Sequence, residues 1–151
     1  MRIAYFPNQA ALNSRPVMDA FLQGCKKHNI ETVEDSLTAD ATIIWSVLWN
    51  GRMAKNELVY HHYRKQNKPV ICIDAGALNR GVTWKIAVNN INAHGYYGHQ
   101  DNLDWDRPKK LGISLAVPAF NRPEIVIAAQ HQDSLQVSNF PSTEAWIYQQ
   151  I

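Results

Sequence analysis

The sequence has only two cysteines, Cys25 and Cys72, and no apolar run approaching the roughly 20 residues of a membrane helix. Neither cysteine belongs to a CxxC pair and both lie in apolar stretches, which predicts buried free thiols and fits a reducing, cytoplasmic compartment. The first residues lack the apolar stretch and small-residue cleavage site of a signal peptide. We therefore expect a cytoplasmic protein without a membrane partner.

Common motifs of nucleotide-binding and hydrolytic enzymes are also missing. No GxGxxG follows a strand-like segment, and neither GxxxxGK[ST] nor GxSxG occurs. These absences disfavour the usual dinucleotide site, P-loop nucleotide binding and a serine nucleophile on a strand-to-helix turn. Charge is nearly balanced, with 15 Lys and Arg against 13 Asp and Glu, so the chain is not the strongly basic protein expected of an obligate nucleic-acid binder.

What the sequence does contain is an alternation of strand-like and helix-like segments. Residues 2–6, 41–48 and 69–74 are short apolar runs, and the last two suit strands covered on both faces. Between them, residues 17–25 and 55–66 carry apolar side chains at helical spacing. Such alternation predicts parallel pairing and right-handed crossovers. The predicted fold class is α/β, a Rossmann-like, doubly wound parallel sheet.

The rest of the chain is less regular. Residues 30–33 and 83–91 could each form a strand, and residues 95–108 suit a long ordered loop. An apolar strand-like run at residues 124–129 is followed by a helix that opens at Ser142. We therefore predict an N-terminal Rossmann-like domain over residues 1–121. The remaining residues, 122–151, are predicted to be the beginning of a second βα unit, the start of a truncated second Rossmann-like domain.

Ligands of open parallel sheets bind beyond the carboxyl ends of the strands, where loops converge and helix N-termini point. The candidate site residues that follow the predicted strands are Asn8, Gln9, Trp49, Asn50, Arg52, Asp74, Gly76, Arg80 and His131. Asn8 and Asn50 equally suit plain turns, and Asp74 could simply cap the next turn. Arg52 precedes a predicted helix, where its guanidinium could bind a phosphate or carboxylate. Alternatively, it is a solvent-exposed surface arginine. His131 could be a general base, a ligand for a hydroxyl or phosphate, or a loop histidine.

We expect no metal site and no cofactor. Histidines and aspartates are frequent between residues 84 and 110, but their spacing matches no standard zinc or calcium loop. His61 and His62 are adjacent on a predicted helix, point about 100° apart and cannot easily chelate one ion. The aromatic rings, amides and carboxylates of this stretch suit sugar or base recognition. They equally suit a structural loop closed by Asp–Arg pairs.

Several runs of the sequence carry a family resemblance that covers most of the chain. They are WSVLWNGRMA at 45–54, GVTWK at 81–85, GYYG at 95–98 and LDWDRPKKLG at 103–112. These runs resemble a group of phage and marine viral proteins that look like glycosyltransferases of the two-Rossmann-domain class, GT-B. The Gln-His loop that begins at Gln130 looks like the start of the second half of that pattern. Since the sequence ends at Ile151, most of the expected donor domain is missing.

The resemblance implies sugar transfer from a nucleotide sugar to an acceptor, such as a glycan or a modified DNA base, in the host cytoplasm. In such proteins the N-terminal domain mostly holds the acceptor, and a bound metal is usually not needed. The implied acceptor contacts are Asn8, Trp49, Asn50, Arg52 and Asp74. Asp74 would be the base, and His131 would face the cleft from the second domain. The developing diphosphate charge would be met by basic groups and helix dipoles.

Two other functions fit the sequence. The absence of a complete catalytic motif also suits a non-catalytic ligand-binding or interaction module with a degenerate Rossmann-like fold. Basic residues between 80 and 110, interleaved with Trp84 and Trp105, also suit a nucleic-acid-facing phage protein. The sequence leaves the oligomeric state open. In every case the expected site depends on Asn8, Arg52 and Asp74 sharing one cleft.

Overall fold

The computed structural model describes residues 1–91, 94–99, 106–114, 126–129 and 140–150. The chain divides into two compact units, Met1–Asn102 and Leu103–Ile151. The boundary expected between residues 121 and 122 lies outside the described residues. So do His131 and the Gln-His loop.

The first unit is built on a five-stranded sheet with the order β2-β1-β3-β4-β5. The strands are β1 Arg2–Tyr5, β2 Glu31–Glu34, β3 Ala41–Trp45, β4 Val70–Ala75 and β5 Trp84–Val88. The first four are parallel, while β5 pairs antiparallel with β4. This order is one of the two common ones for doubly wound sheets. The predicted Rossmann-like α/β class is therefore confirmed, with an antiparallel edge strand added.

Two helices cover opposite faces of the sheet. Helix α1, Arg15–Lys27, packs on the face that carries Ile3, Ile43 and Trp45. Helix α2, Asn56–Lys65, packs on the other face, which we call the α2 face. Successive residues of a strand point to opposite faces, so a central strand covered on both sides is apolar throughout. All residues of β3 are buried, as its sequence predicts.

The connection between β2 and β3 contains no helix. It is the crossover segment, residues 35–40, which passes over β1 although parallel crossovers usually need about a dozen residues or more. The segment runs along β1, because Asp35 N donates to Tyr5 O at 2.9 Å and Asp40 N donates to Arg2 O at 3.0 Å. Tyr63 Oη of α2 donates to Ser36 O at 2.9 Å. The α2 face over β1 is therefore covered by six residues of irregular chain instead of a helix.

Both helices end near an asparagine in the left-handed conformation. Asn29 follows α1 with a φ of 55°, and Asn67 follows α2 with a φ of 56°. Asparagine adopts left-handed backbone angles more readily than most other residues do. Ser46, directly after β3, is also left-handed, with a φ of 63°. The strand therefore ends at Trp45 and not at residue 48, although the apolar run continues.

The second unit contains two short helices among its described residues. They are α3, Arg107–Lys110, and α4, Thr143–Tyr148. Ser142 Oγ accepts a hydrogen bond from Ala145 N at 3.0 Å, so the predicted helix start is confirmed. Residues 126–129 form no strand, and Val126 is 87% exposed. A run of apolar residues forms a buried strand only where a neighbouring strand pairs with it, and the local sequence does not show whether such a strand exists. Among the described residues, no helix has the length and apolar content to cross a membrane.

Both cysteines are free and buried, which confirms the prediction made from their surroundings. Burial raises the pKa of the Cys72 thiol from an ordinary value near 9 to about 12. Between these pH values the unfolded chain has lost the thiol proton while the folded chain keeps it. We therefore expect the free energy of unfolding to fall as pH rises from 9 towards 12, by up to about 1.4 kcal/mol per pH unit for this group.

Urea unfolding curves recorded at pH 8, 9.5 and 10.5 measure this slope. Burial also raises the pKa of Tyr63, so part of the slope will remain when the thiol is removed. The variant Cys72→Ala should show a shallower decline than the wild type over the same interval. Equal slopes for the two proteins would contradict a neutral, buried thiol at this position.

Candidate functional site

The chain leaves β1 and β3 towards opposite faces of the sheet. The loop after β1 leads to α1 on one face, and the loop after β3 leads to α2 on the other. Since β1 and β3 are neighbours, their loops separate at the carboxyl end of the sheet and leave a gap between them. Doubly wound sheets bind ligands at this switch point.

A cavity of about 510 Å³ occupies this position, on the α1 side of the gap. We call it the switch-point crevice. Apolar walls come from Leu12, Met18 and other residues at the start of α1. The polar and charged side chains that line it include Asn8, Arg15, Asp19, Glu34 and Arg52. Its volume lies within the range of small-molecule sites, and its polar groups come from four separate segments of the chain.

Asn56 fixes the two loops that border the crevice. It is the first residue of α2 and only 1% exposed. Its Nδ2 donates to Gln9 O at 2.9 Å and to Trp45 O at 3.0 Å. One amide therefore ties the turn after β1 to the end of β3. Sequence analysis missed this residue, because asparagine at a helix start usually indicates only a local cap.

Glu34 is a second crevice residue that the sequence analysis missed. It ends β2, and its Oε2 accepts a hydrogen bond from Tyr5 Oη at 3.1 Å. Burial raises the pKa of Tyr5, and the hydrogen bond to Glu34 raises it further. The phenol therefore stays a neutral donor that holds the carboxylate at the crevice wall. The parallel register that pairs Tyr5 with Glu34 could not be read from the sequence.

Asp74 belongs to a neighbouring group of hydrogen bonds at the end of β4. Its Oδ2 accepts from Ser46 Oγ at 3.1 Å, and its Oδ1 accepts from Ala75 N at 2.7 Å. Ser46 Oγ also accepts from Leu48 N at 3.3 Å. Asp74 is half-buried and does not line the switch-point crevice. Of the three residues expected to share a cleft, the structure brings Asn8 and Arg52 together and leaves Asp74 one strand away.

Other predicted site residues have local structural contacts. The Trp49 ring lies 5.4 Å from the Tyr60 ring and packs against the core of the α2 face. Asn50 O accepts from Met53 N at 3.0 Å within a turn. Gly76 N donates to Thr83 O at 2.9 Å and closes the hairpin between β4 and β5.

Arg80 and Gln9 occupy very different positions. Arg80 is exposed in the hairpin between β4 and β5, and lines neither of the two cavities beside the β1 and β3 loops. Gln9 lies next to Asn8, and its Oε1 is buried without a hydrogen-bond partner in the part of the chain that the structure describes.

Within the described residues, no three His, Cys, Asp or Glu side chains cluster closely enough to hold a metal ion. The crevice instead offers guanidinium, amide and carboxylate groups around a partly apolar wall. Such groups can hold phosphates and hydroxyls without a metal. No protein-family model matches this chain, and no curated protein matches it significantly in sequence.

Proposed function

We propose that residues 1–121 of this chain are the acceptor-side domain of a glycosyltransferase-like phage protein and that the switch-point crevice binds its hydroxyl-rich, anionic substrate. The reaction class comes from the sequence resemblance. One observation supports the location of the binding site. Asn8 and Arg52 line the same cavity of about 510 Å³, although they come from the loops after two different strands. A cytoplasmic location, in the host cell for a viral protein, belongs to the same proposal.

Each polar group of the crevice has a task in this proposal. The guanidinium groups of Arg15 and Arg52 make no ion pair within the described residues, so both are available to a phosphate or carboxylate. The carboxylates of Asp19 and Glu34 accept hydrogen bonds from sugar hydroxyls. The amide of Asn8 can both donate and accept.

Transfer requires the acceptor oxygen to attack the anomeric carbon of a nucleotide sugar. The bond between that carbon and the phosphate oxygen breaks, the nucleoside diphosphate leaves, and the acceptor proton passes to a base. The resemblance predicts Asp74 as the base, but Asp74 does not line the crevice that would hold the acceptor. Glu34 is a second candidate, because its carboxylate does line this crevice.

Removing the guanidinium of Arg52 should weaken substrate binding about tenfold or more, since a hydrogen bond to a charged group contributes about 1.5–3 kcal/mol. Isothermal titration calorimetry with glucose 1-phosphate and UDP-glucose measures the effect on Arg52→Ala. Arg80→Ala is the matched control, because Arg80 is also an exposed loop arginine but lies in the hairpin. Equal affinities for the two variants, or no binding by the wild type, would rule the crevice out.

A non-catalytic binding module is the second candidate. Both Asp74 oxygens already accept hydrogen bonds, from Ser46 and from the backbone of Ala75, which favours a structural role for this carboxylate. Turnover separates the two functions. Release of UDP from UDP-glucose that stops in Asp74→Asn or Glu34→Gln, with glucose 1-phosphate binding retained, supports transfer chemistry. Binding without UDP release favours the module.

A further inference from the structure

A second cavity, of about 890 Å³, lies on the α2 side of the turn after β1. We propose that it binds an amphiphilic anion, a small molecule with a carboxylate or phosphate head on an aliphatic or aromatic body. We call it the α2-face cavity. The cavity shares Asn8 and Arg52 with the switch-point crevice, while its other lining residues belong to this cavity alone. The proposal does not require the glycosyltransferase function.

The cavity exists because the crossover segment contains no helix. A helix between β2 and β3 would ordinarily cover this part of the α2 face. Here the short, irregular crossover segment leaves a space beside α2, bordered by Leu37 of that segment and by Phe6 after β1. The cavity is thus a consequence of the topology and not of a single side chain.

Four apolar side chains form one part of the wall. Phe6 and Val59 are buried at its base, while Leu37 and Leu58 stay 45% and 77% exposed at its edge. Exposed leucines on both sides of one cavity are an unfavourable arrangement in water unless something apolar covers them. This wall therefore suits the aliphatic or aromatic body of a ligand.

The charged side chains of the cavity select an anion. Arg52 and Lys55 stand at the N-terminal side of α2, where the helix dipole adds positive potential. Neither forms an ion pair within the described residues, and one carboxylate, Asp35, lines the cavity together with them. A ligand head with one negative charge fits this balance. A neutral hydrocarbon would form no ion pair with Arg52 or Lys55.

Gln9 provides an independent sign of a missing partner. Its side chain lines the cavity, and its Oε1 is buried with no hydrogen bond in the described part of the chain. A buried carboxamide oxygen without a donor costs about 1–3 kcal/mol. Rotating the carboxamide by 180° puts the Nε2 donor in its place, and that donor suits an anionic ligand head. The two cations and the Gln9 carboxamide therefore both favour a polar ligand head in the α2-face cavity.

Octanoate is a suitable probe, and 1-octanol is its uncharged counterpart. Titration calorimetry should show that one octanoate binds per chain and that 1-octanol binds more weakly. Lys55→Ala should weaken octanoate binding by roughly fivefold, the upper range for an exposed ion pair. Leu58→Asp should weaken it further, because it removes an apolar contact and adds a like charge. Aspartate is compatible with the first turn of α2.

Arg15→Ala is the matched control, because Arg15 lines the switch-point crevice and not this cavity. It should leave octanoate affinity unchanged. The proposal is overturned if octanoate does not bind, if 1-octanol binds equally well, or if Arg15→Ala has the same effect as Lys55→Ala. It is also overturned if the chain forms a dimer that Leu58→Asp dissociates, because a second copy then covers the leucines. None of these outcomes bears on glucose 1-phosphate binding at the crevice.

Discussion

Replacing Asn56 by alanine should lower the free energy of unfolding by about 2–4 kcal/mol and weaken ligand binding at the crevice. The substitution leaves two backbone oxygens, Gln9 O and Trp45 O, without the donor that now satisfies them. Each unsatisfied buried acceptor costs about 1–3 kcal/mol. Urea unfolding followed by circular dichroism measures the stability, and calorimetry measures the binding.

Asn50→Ala is the matched control, because Asn50 is an exposed asparagine in the same loop and its side chain makes no capping bond. It should change stability by no more than about 0.5 kcal/mol. Asn56→Asp keeps the shape but points carboxylate oxygens at two carbonyl oxygens, so it should be at least as destabilising as alanine at pH 7. If Asn56→Ala and Asn50→Ala were equally stable, Asn56 would not be tying the two loops together.

Gly76→Ala should also destabilise the protein, by about 1–3 kcal/mol. A Cβ on residue 76 would lie 2.6 Å from Thr83 O and 2.8 Å from Thr83 C, where no backbone atom can move without breaking the hairpin. Overpacking of this kind costs about 1–3 kcal/mol. The same unfolding experiment tests it, since the strand pair that the hairpin closes forms one edge of the sheet.

Gly24→Ala provides a control of the opposite sign. Gly24 lies inside α1, and a Cβ there would meet nothing within 4 Å. Alanine has the higher helix propensity, so this variant should be more stable than the wild type by up to about 1 kcal/mol. If both glycine variants shifted stability in the same direction, the close approach of Thr83 would not be what makes Gly76 necessary.

The elements of the first unit were predictable from the sequence because burial on both faces leaves a simple pattern. The first five residues of the run at residues 41–48 form β3, and the segment with helical spacing at residues 55–66 forms α2. The antiparallel direction of β5 and the order of the strands were not predictable. Both depend on pairing between segments, which leaves no mark in the local pattern. The run at residues 124–129 shows the same limit, since Val126 is apolar and yet exposed.

The site was predictable only in part, for a similar reason. Asn8 and Arg52 follow strands that are neighbours in the sheet, and both line the same cavity. The expectation that loops after the carboxyl ends of parallel strands converge therefore holds for these two residues. Asn56 and Glu34 act through tertiary hydrogen bonds to Trp45 O and Tyr5 Oη, which no spacing indicates. Asp74 lies near the carboxyl end of a strand as well, but that strand, β4, lies beyond the switch point.

A titration of ¹⁵N-labelled protein with glucose 1-phosphate, followed by amide spectra residue by residue, decides where the substrate binds. Amide shifts should concentrate in residues 5–19 and 50–53, which border the crevice, while residues 76–83 of the hairpin stay unchanged. Shifts that centre on the hairpin around Asp74 and Arg80, with none beside Asn8 and Arg52, would show that the switch-point crevice is not the binding site.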